Sequence, residues 1–243
     1  MILHLDPAAP FLMRAAAEAA LALHIAAATS ALASGPAAMI LTKGSRLHRL
    51  TGNVFFVSML VMTGIGALVA PLLNDPFSSV GGAFAFYLTA TGWAAVIRRA
   101  GHIGRFEPLA LLFILAVGAA TVVLVSRGMS DPATLNGQPW QAGAIFAGLC
   151  ALGAASDISM ILRGGVSGPA RIARHLWRPC LAFLVAWLSF TAQPKAQPAF
   201  LRGSPILMIP ALLVLIAMAW WLVKLALERR PRARLQAGLA AGA

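Results

Sequence analysis

Seven ionisable side chains stand where their chemistry has consequences: Glu18, His24, His48, His102, Glu107, Asp157 and His175. His24, Glu18 and Asp157 fall inside long apolar runs, where an ionisable group is a functional candidate by default. A neutral imidazole can ligate haem iron or another metal ion and can relay a proton. His24 is the deepest of the set. Its bland alternative is a ring that donates to a backbone carbonyl or a hydroxyl, such as that of Thr63, on a neighbouring helix. Glu18 lies six residues before His24, so the two do not share a helix face. It is expected to reach the outer interface or Arg14, one turn away. Asp157, flanked by Ser156 and Ser159, is expected to form an ion pair with Arg163, Arg174 or His48. Glu107 opens an apolar run, where a carboxylate complements the helix dipole.

The other three histidines sit in basic stretches. His48 lies in Lys43-Gly-Ser-Arg-Leu-His48-Arg49, His102 follows Arg98 and Arg99, and His175 lies between Arg174 and Arg178. A zinc site built from His48, His102 and His175 needs three or four ligands to converge, and no pair has tight metal spacing. A haem held between helices needs two axial ligands at one depth. His24 and His48 are separated by roughly 25 Å in depth and cannot share one. His48 with His175 is the easy pair, whereas His24 would need His4 or Met62. The alternative for the basic stretches is that His and Arg cap helix ends and meet lipid phosphates. Other chemistries lack their motifs: there is no Gly-rich phosphate loop, Gly-x-Ser-x-Gly elbow or His-Glu-x-x-His helix. Tyr87, the single tyrosine, has no evident catalytic partner.

These residues must be positioned by membrane helices. Of 243 residues, 60% are hydrophobic and 11% charged, against about 25% charged in soluble domains. Such a chain needs lipid as its solvent. Spanning the hydrocarbon layer takes roughly 20 helical residues. Seven stretches qualify, near 15–41, 51–73, 79–97, 107–126, 140–162, 176–192 and 205–227, as one integral membrane domain over 1–243. The segments between them carry turn residues: Asn74-Asp75-Pro76, Asp131-Pro132, Asn136-Gly137, Gly164-Gly165 and Gln193-Pro194. The fold class expected is an all-α polytopic transmembrane helix bundle.

Fifteen of the nineteen basic residues fall in four clusters, after every second apolar stretch. They are Lys43 to Arg49, Arg98 to Arg105, Arg163 to Arg178, and Lys224 to Arg234. Retention of Lys and Arg in the cytoplasm then puts the N-terminus outside and the C-terminus inside. The net charge of +12 does not indicate nucleic acid, because no RNA, zinc-finger or recognition-helix motif accompanies it. A basic face beside anionic lipid headgroups accounts for it. Trp93, Trp140 and Trp177 are placed for interfacial anchoring. Ala17, Ala20, Ala27, Ala28, Ala31 and Gly35 share the His24 face, whose small side chains suit close helix packing, and Pro36 is expected to kink that helix. Ala31-Leu-Ala33 has the form of a signal cleavage site, but Glu18 and His24 interrupt the apolar run, so the first helix is expected to be retained. Cys150 and Cys180 read as small buried hydrophobes at different depths.

Three stretches taken together carry a resemblance. They are His24 followed by Lys43-Gly-Ser-Arg-Leu-His48-Arg49-Leu-Thr-Gly52; Tyr87-Leu-Thr-Ala-Thr-Gly92-Trp93; and Ala173-Arg174-His175-Leu-Trp-Arg178 with Ala182-Phe183 and Ser189-Phe190. Over most of residues 20–195 the chain resembles a family of predicted bacterial inner-membrane proteins of unknown function. A methionine usually follows the family's counterpart of Arg178, and here Pro179 stands in its place. The resemblance implies a multi-helix membrane fold in a bacterial inner membrane and no particular reaction. It directs attention to His24, His48, Arg49 and His175. Three functions follow as expectations: a redox, metal- or haem-binding protein using these histidines; a carrier of a small solute or protons; or a scaffold or sensor with a basic cytoplasmic face.

Overall fold

A computed structural model describes residues 10–131, 135, 138–194 and 197–241, with only the backbone of 228–241. Among the described residues there are seven long helices: α1 (Phe11–Ile40), α2 (Arg46–Val69), α3 (Pro76–Ile97), α4 (Phe106–Ser130), α5 (Trp140–Leu162), α6 (Gly168–Thr191) and α7 (Ile209–Ala241). None of the described residues forms a strand. Six of the helices, all but α6, are long and apolar enough to cross a membrane. His4, Pro132, Asn136, Gly137, Lys195 and the side chains of Arg229, Arg230, Arg232 and Arg234 lie outside the described residues.

The turn chemistry sets the boundaries. Ser45 caps α2 by accepting from the His48 backbone N–H at 3.1 Å, and Asp75 caps α3 by accepting from that of Ser78 at 3.0 Å. Both leave fewer orphan donors at a helix start. Pro76 opens α3 at a position where its missing N–H costs nothing. Before it, Asn74 turns the chain with φ 54°, a conformation asparagine tolerates better than most residues. α1 runs on through Pro36 to Ile40, so Pro36 lies inside the first helix as expected. One expectation needs correction. The sixth helix begins at Gly168, eight residues before the expected 176, with Pro169 in its first turn. The Arg171–Arg178 cluster is therefore part of a helix and not a surface loop.

α3 is the central element. It packs against α2, α4, α5 and α6, while α1 covers α2, α5 covers α4 and α7 covers α6. Half of the apolar window of α3 is buried, against 11% for α1. Met59, Phe84, Leu88, Ile114 and Ala182 form the solvent-free centre of one core. Outward faces carry Leu, Ile and Val, as for Leu162 at 81% exposed and Leu68 at 77%. That is the distribution a lipid-facing surface requires.

Small residues let the helices approach. Ala27, Ala31 and Gly35 of α1 are buried, as the His24 face implied. At Gly82 of α3 an added Cβ would lie 2.9 Å from the Ala67 nitrogen and 3.1 Å from the Thr63 oxygen, both backbone atoms of α2. Nearby, the Ser79 hydroxyl donates to the Ala67 carbonyl at 2.8 Å. Because backbone cannot move aside as a side chain does, Gly82→Val is expected to destabilise the protein by about 1–3 kcal/mol. Gly52 of α2 supplies the control, because a Cβ added there would have no neighbour within 4 Å. Gly52→Ala should be neutral or stabilising by up to about 1 kcal/mol. Thermal unfolding of the purified variants in detergent measures both.

Candidate functional site: a buried carboxylate shared by two arginines

Asp157 is 0% exposed, and so is Arg178; Tyr87 is 2% exposed. They come from α5, α6 and α3, and their side chains meet. One Asp157 oxygen, Oδ1, accepts from Arg178 Nη2 at 2.6 Å and from Arg174 Nη2. The other, Oδ2, accepts from the Tyr87 hydroxyl at 2.6 Å. The Ser156 hydroxyl lies 3.3 Å from Arg174 Nη1, and Thr91 Oγ1 accepts from Arg178 Nη1. The Arg178 guanidinium also lies 5.0 Å from the centres of the Tyr87 and Trp177 rings, close enough for cation–π attraction. Its Nε is buried with no hydrogen-bond partner among the described residues.

Local sequence explains the approach. Gly153 precedes Asp157 by one turn, and a Cβ there would meet the Tyr87 ring at 3.2 Å. Gly92 precedes the α3 terminus, and a Cβ there would meet Pro179 Cδ at 2.8 Å and Arg178 Cβ at 3.1 Å. These two glycines bring α5 and α6 onto α3. Arg171, Arg174, His175 and Arg178 then follow at helical spacing, so one polar stripe of α6 faces inward.

That stripe also closes the end of α3. Arg171 donates from Nε to the Ala95 carbonyl at 2.5 Å and from Nη2 to those of Val96 and Arg98 at 2.8 and 2.7 Å. A cation on the last carbonyls of a helix is placed favourably for the dipole. Glu107 does more than complement α4. It is buried, forms an ion pair with Arg98 at 2.9 Å and accepts from the Gly104 N–H at 2.7 Å. A recess at this end is lined by Arg98, Arg99, His102, Glu107, Arg171 and Arg174.

Three sequence-predicted histidines tie helices together. Nδ1 of His24 lies 3.0 Å from the Met62 carbonyl of α2. Nδ1 of His48 lies 3.0 Å from the Ala38 carbonyl of α1, and Nδ1 of His175 lies 3.1 Å from the Gly92 carbonyl of α3. A carbonyl only accepts, so Nδ1 carries the proton in each contact. The His175 ring lies 5.7 Å from that of Phe56, which stacks on Trp93. Trp93 is half-buried against the Phe56 ring.

Other expected residues are not brought together. His48, His102 and His175 do not converge on a metal site; no group of three His, Cys, Asp or Glu among the described residues could hold one. Glu18 is exposed on α1 and makes no ion pair with Arg14. Arg49 donates to the Gly44 carbonyl at 2.5 Å, within its own turn. Asp157 pairs with Arg174, as one of the expected partners, but its second partner is Arg178; Arg163 is exposed. Lys43 caps α1 through the Met39 carbonyl at 2.5 Å and sits 5.6 Å from the Trp221 ring. Burial of part of its length lowers the pKa of its ammonium. Cys150 and Cys180 are buried and free.

Sequence reasoning missed Arg178 and Tyr87 as members of the site. The spacing of Arg171, Arg174 and Arg178 was a usable signal, because a polar stripe on one helix face is not the pattern of a loop. The chain matches no family model, no curated protein and no solved structure.

Removing one member of a buried ion pair leaves the other uncompensated, at a cost of about 3–5 kcal/mol. Asp157→Asn should therefore lower stability by about that much, and Tyr87→Phe by about 1–3 kcal/mol through the lost hydroxyl. Arg163→Gln, at an exposed position, should stay within about 0.5 kcal/mol. Unfolding midpoints of the three variants in one detergent test this ranking; equal midpoints for Asp157→Asn and Arg163→Gln would refute it.

Proposed function

We propose that the protein is a bacterial inner-membrane protein that recognises anionic groups at its cytoplasmic end. In this reading α6 is a seventh span, the N-terminus is outside and the C-terminus is cytoplasmic. The alternation of the basic clusters supports that orientation. The likeness of residues 20–195 to a predicted bacterial inner-membrane family supports the compartment. The function is a refinement of a sensor or scaffold with a basic face.

One observation carries it: two buried arginines share a single buried carboxylate. A surplus cation in a low-dielectric bundle is expensive unless something neutralises it. Arg174 also lines the recess that Arg98, Arg99 and Arg171 line, so an anion arriving there supplies the missing charge. A carrier function gains no comparable support.

Unfolding of the full chain in mild detergent, measured at constant ionic strength in chloride, acetate, succinate and phosphate, tests the reading. An anion present at a hundredfold its Kd adds about 2.7 kcal/mol to stability, which is a rise of roughly 5–10 °C for a chain of this size. Midpoints independent of the anion would sink it.

A second reading, a redox protein with haem between His48 and His175, is favoured by one observation. Both rings have Nδ1 on a backbone carbonyl, the arrangement that orients a ligating imidazole through its other nitrogen. It predicts a Soret band that shifts with dithionite in the purified protein. A colourless preparation removes this reading and leaves the first untouched.

A further inference from the structure

We propose that the recess between α3, α4 and α6 is a binding site for a phosphate group. The inference rests on the anion reading and narrows it to a ligand class and a set of residues. Four arginines and His102 line the recess, against one carboxylate, Glu107. Glu107 is already engaged by Arg98 and the Gly104 N–H, so it does not neutralise the rest.

The donors are in surplus as well as the charge. A guanidinium has five N–H bonds. Arg171 uses Nε and Nη2 on the α3 carbonyls, and no bond among the described residues engages its Nη1. Arg98 donates from Nη2 to Glu107 at 3.4 Å, while its Nε lies within ion-pair distance of Glu107 without a hydrogen bond. Arg174 uses Nη1 and Nη2 on Ser156 and Asp157. Arg99 and His102 are exposed, and neither side chain makes a hydrogen bond among the described residues.

The number of cations selects the ligand. A carboxylate has two oxygens in one plane and is satisfied by one guanidinium fork. A phosphate group presents three acceptor oxygens in different directions and carries up to about two charges. Several arginines arriving from different helices suit the second geometry. The recess is partly open and has room for about two water molecules. That is the scale of one tetrahedral oxyanion, so a phosphate enters while the remainder of its molecule stays outside. Arg174 connects this site to the buried centre. A phosphate beside it provides Arg174 with its own counter-ion and leaves Asp157 to Arg178 and Tyr87.

Phosphate groups reach such a position from two sources, a soluble ester or a lipid headgroup at the membrane surface. The experiment uses the full chain in a zwitterionic detergent, with unfolding and isothermal titration as readouts. The soluble arm compares inorganic phosphate and glycerol phosphate with acetate and succinate at matched ionic strength. The lipid arm adds phosphatidic acid or phosphatidylcholine to the micelles. Arg99→Gln with His102→Gln removes two exposed donors without touching Asp157 or the α3 cap, so the fold is retained. Loss of a charge-assisted hydrogen bond of this kind should weaken binding about tenfold.

A phosphate-specific rise in midpoint in either arm, reduced in the double variant, supports the site. A response confined to phosphatidic acid assigns it to a headgroup, and a response to glycerol phosphate assigns it to a soluble ester. Succinate or acetate acting as strongly as phosphate, or a double variant with unchanged affinity, overturns the inference while the broader anion reading stands. No response to any anion removes both.

Discussion

The structure depends on where the Asp157 charge goes. A lone carboxylate in a helix bundle facing lipid has no water to solvate it, and isolated burial of an ion costs several kcal/mol after relaxation. Here the charge is shared among two guanidiniums and a phenol. Those partners come from α3 and α6, and the acid comes from α5. One carboxylate therefore fixes the relative position of three helices, the consecutive α5 and α6 and the more distant α3. Gly153, Gly92 and Ser156 are small where the partners must come close. A hydrophobic core tolerates some sliding of its helices, whereas hydrogen-bonded charges at short range do not.

From that constraint the basic end takes its form. With Arg174 and Arg178 drawn inward, Arg171 lies one turn further out and reaches the final carbonyls of α3. Arg98, at the α3 terminus, turns to Glu107 at the start of α4. Each of these four arginines thus meets either a carboxylate or the negative end of a helix. The three histidines work on a smaller scale. Each lends one N–H to a carbonyl on the next helix, and in lipid such side-chain to backbone ties are worth only about 1 kcal/mol each. His24 and His48 register α1 with α2, which the charged centre does not reach, and His175 adds a tie between α6 and α3.

How much of this could be read from the chain differs by residue. The apolar helices were legible, because runs such as 140–162 have the length and composition of a span and the structure repeats those limits. Asp157 was legible as a charge in an apolar segment that needed a partner. Its full partner set was not. Tyr87 lies 70 residues away on α3, and no local pattern encodes that meeting; Arg178 lies 21 away on the next helix, where the spacing of Arg171, Arg174 and Arg178 was the available signal. α6 was shortened for a physical reason. Hydropathy counts Arg171 and Arg174 as solvent-facing, and it has no term for a counter-charge supplied by another helix. The histidines could be picked out in the chain, but which backbone carbonyl each ring bonds to depends on how the helices pack.

The charge count of the centre separates scaffolding from recognition. To hold three helices together, Asp157 needs one arginine and the Tyr87 hydroxyl, which would make a neutral group with its lone pairs engaged. The second arginine adds a positive charge and a desolvation penalty, and its only acceptors among the described residues are the already shared Oδ1 and the Ser156 hydroxyl. Replacing a buried ion by an apolar residue is often neutral or stabilising, so stability alone does not account for an arginine at position 174. What Arg174 has that Arg178 lacks is access: it lines the recess, and Arg178 does not. A cation that is half committed to an internal carboxylate and half available at an opening is poised for an external anion. The arrangement makes the interior charge balance depend on what occupies the mouth, which is the physical basis for reading this end of the bundle as a recognition site.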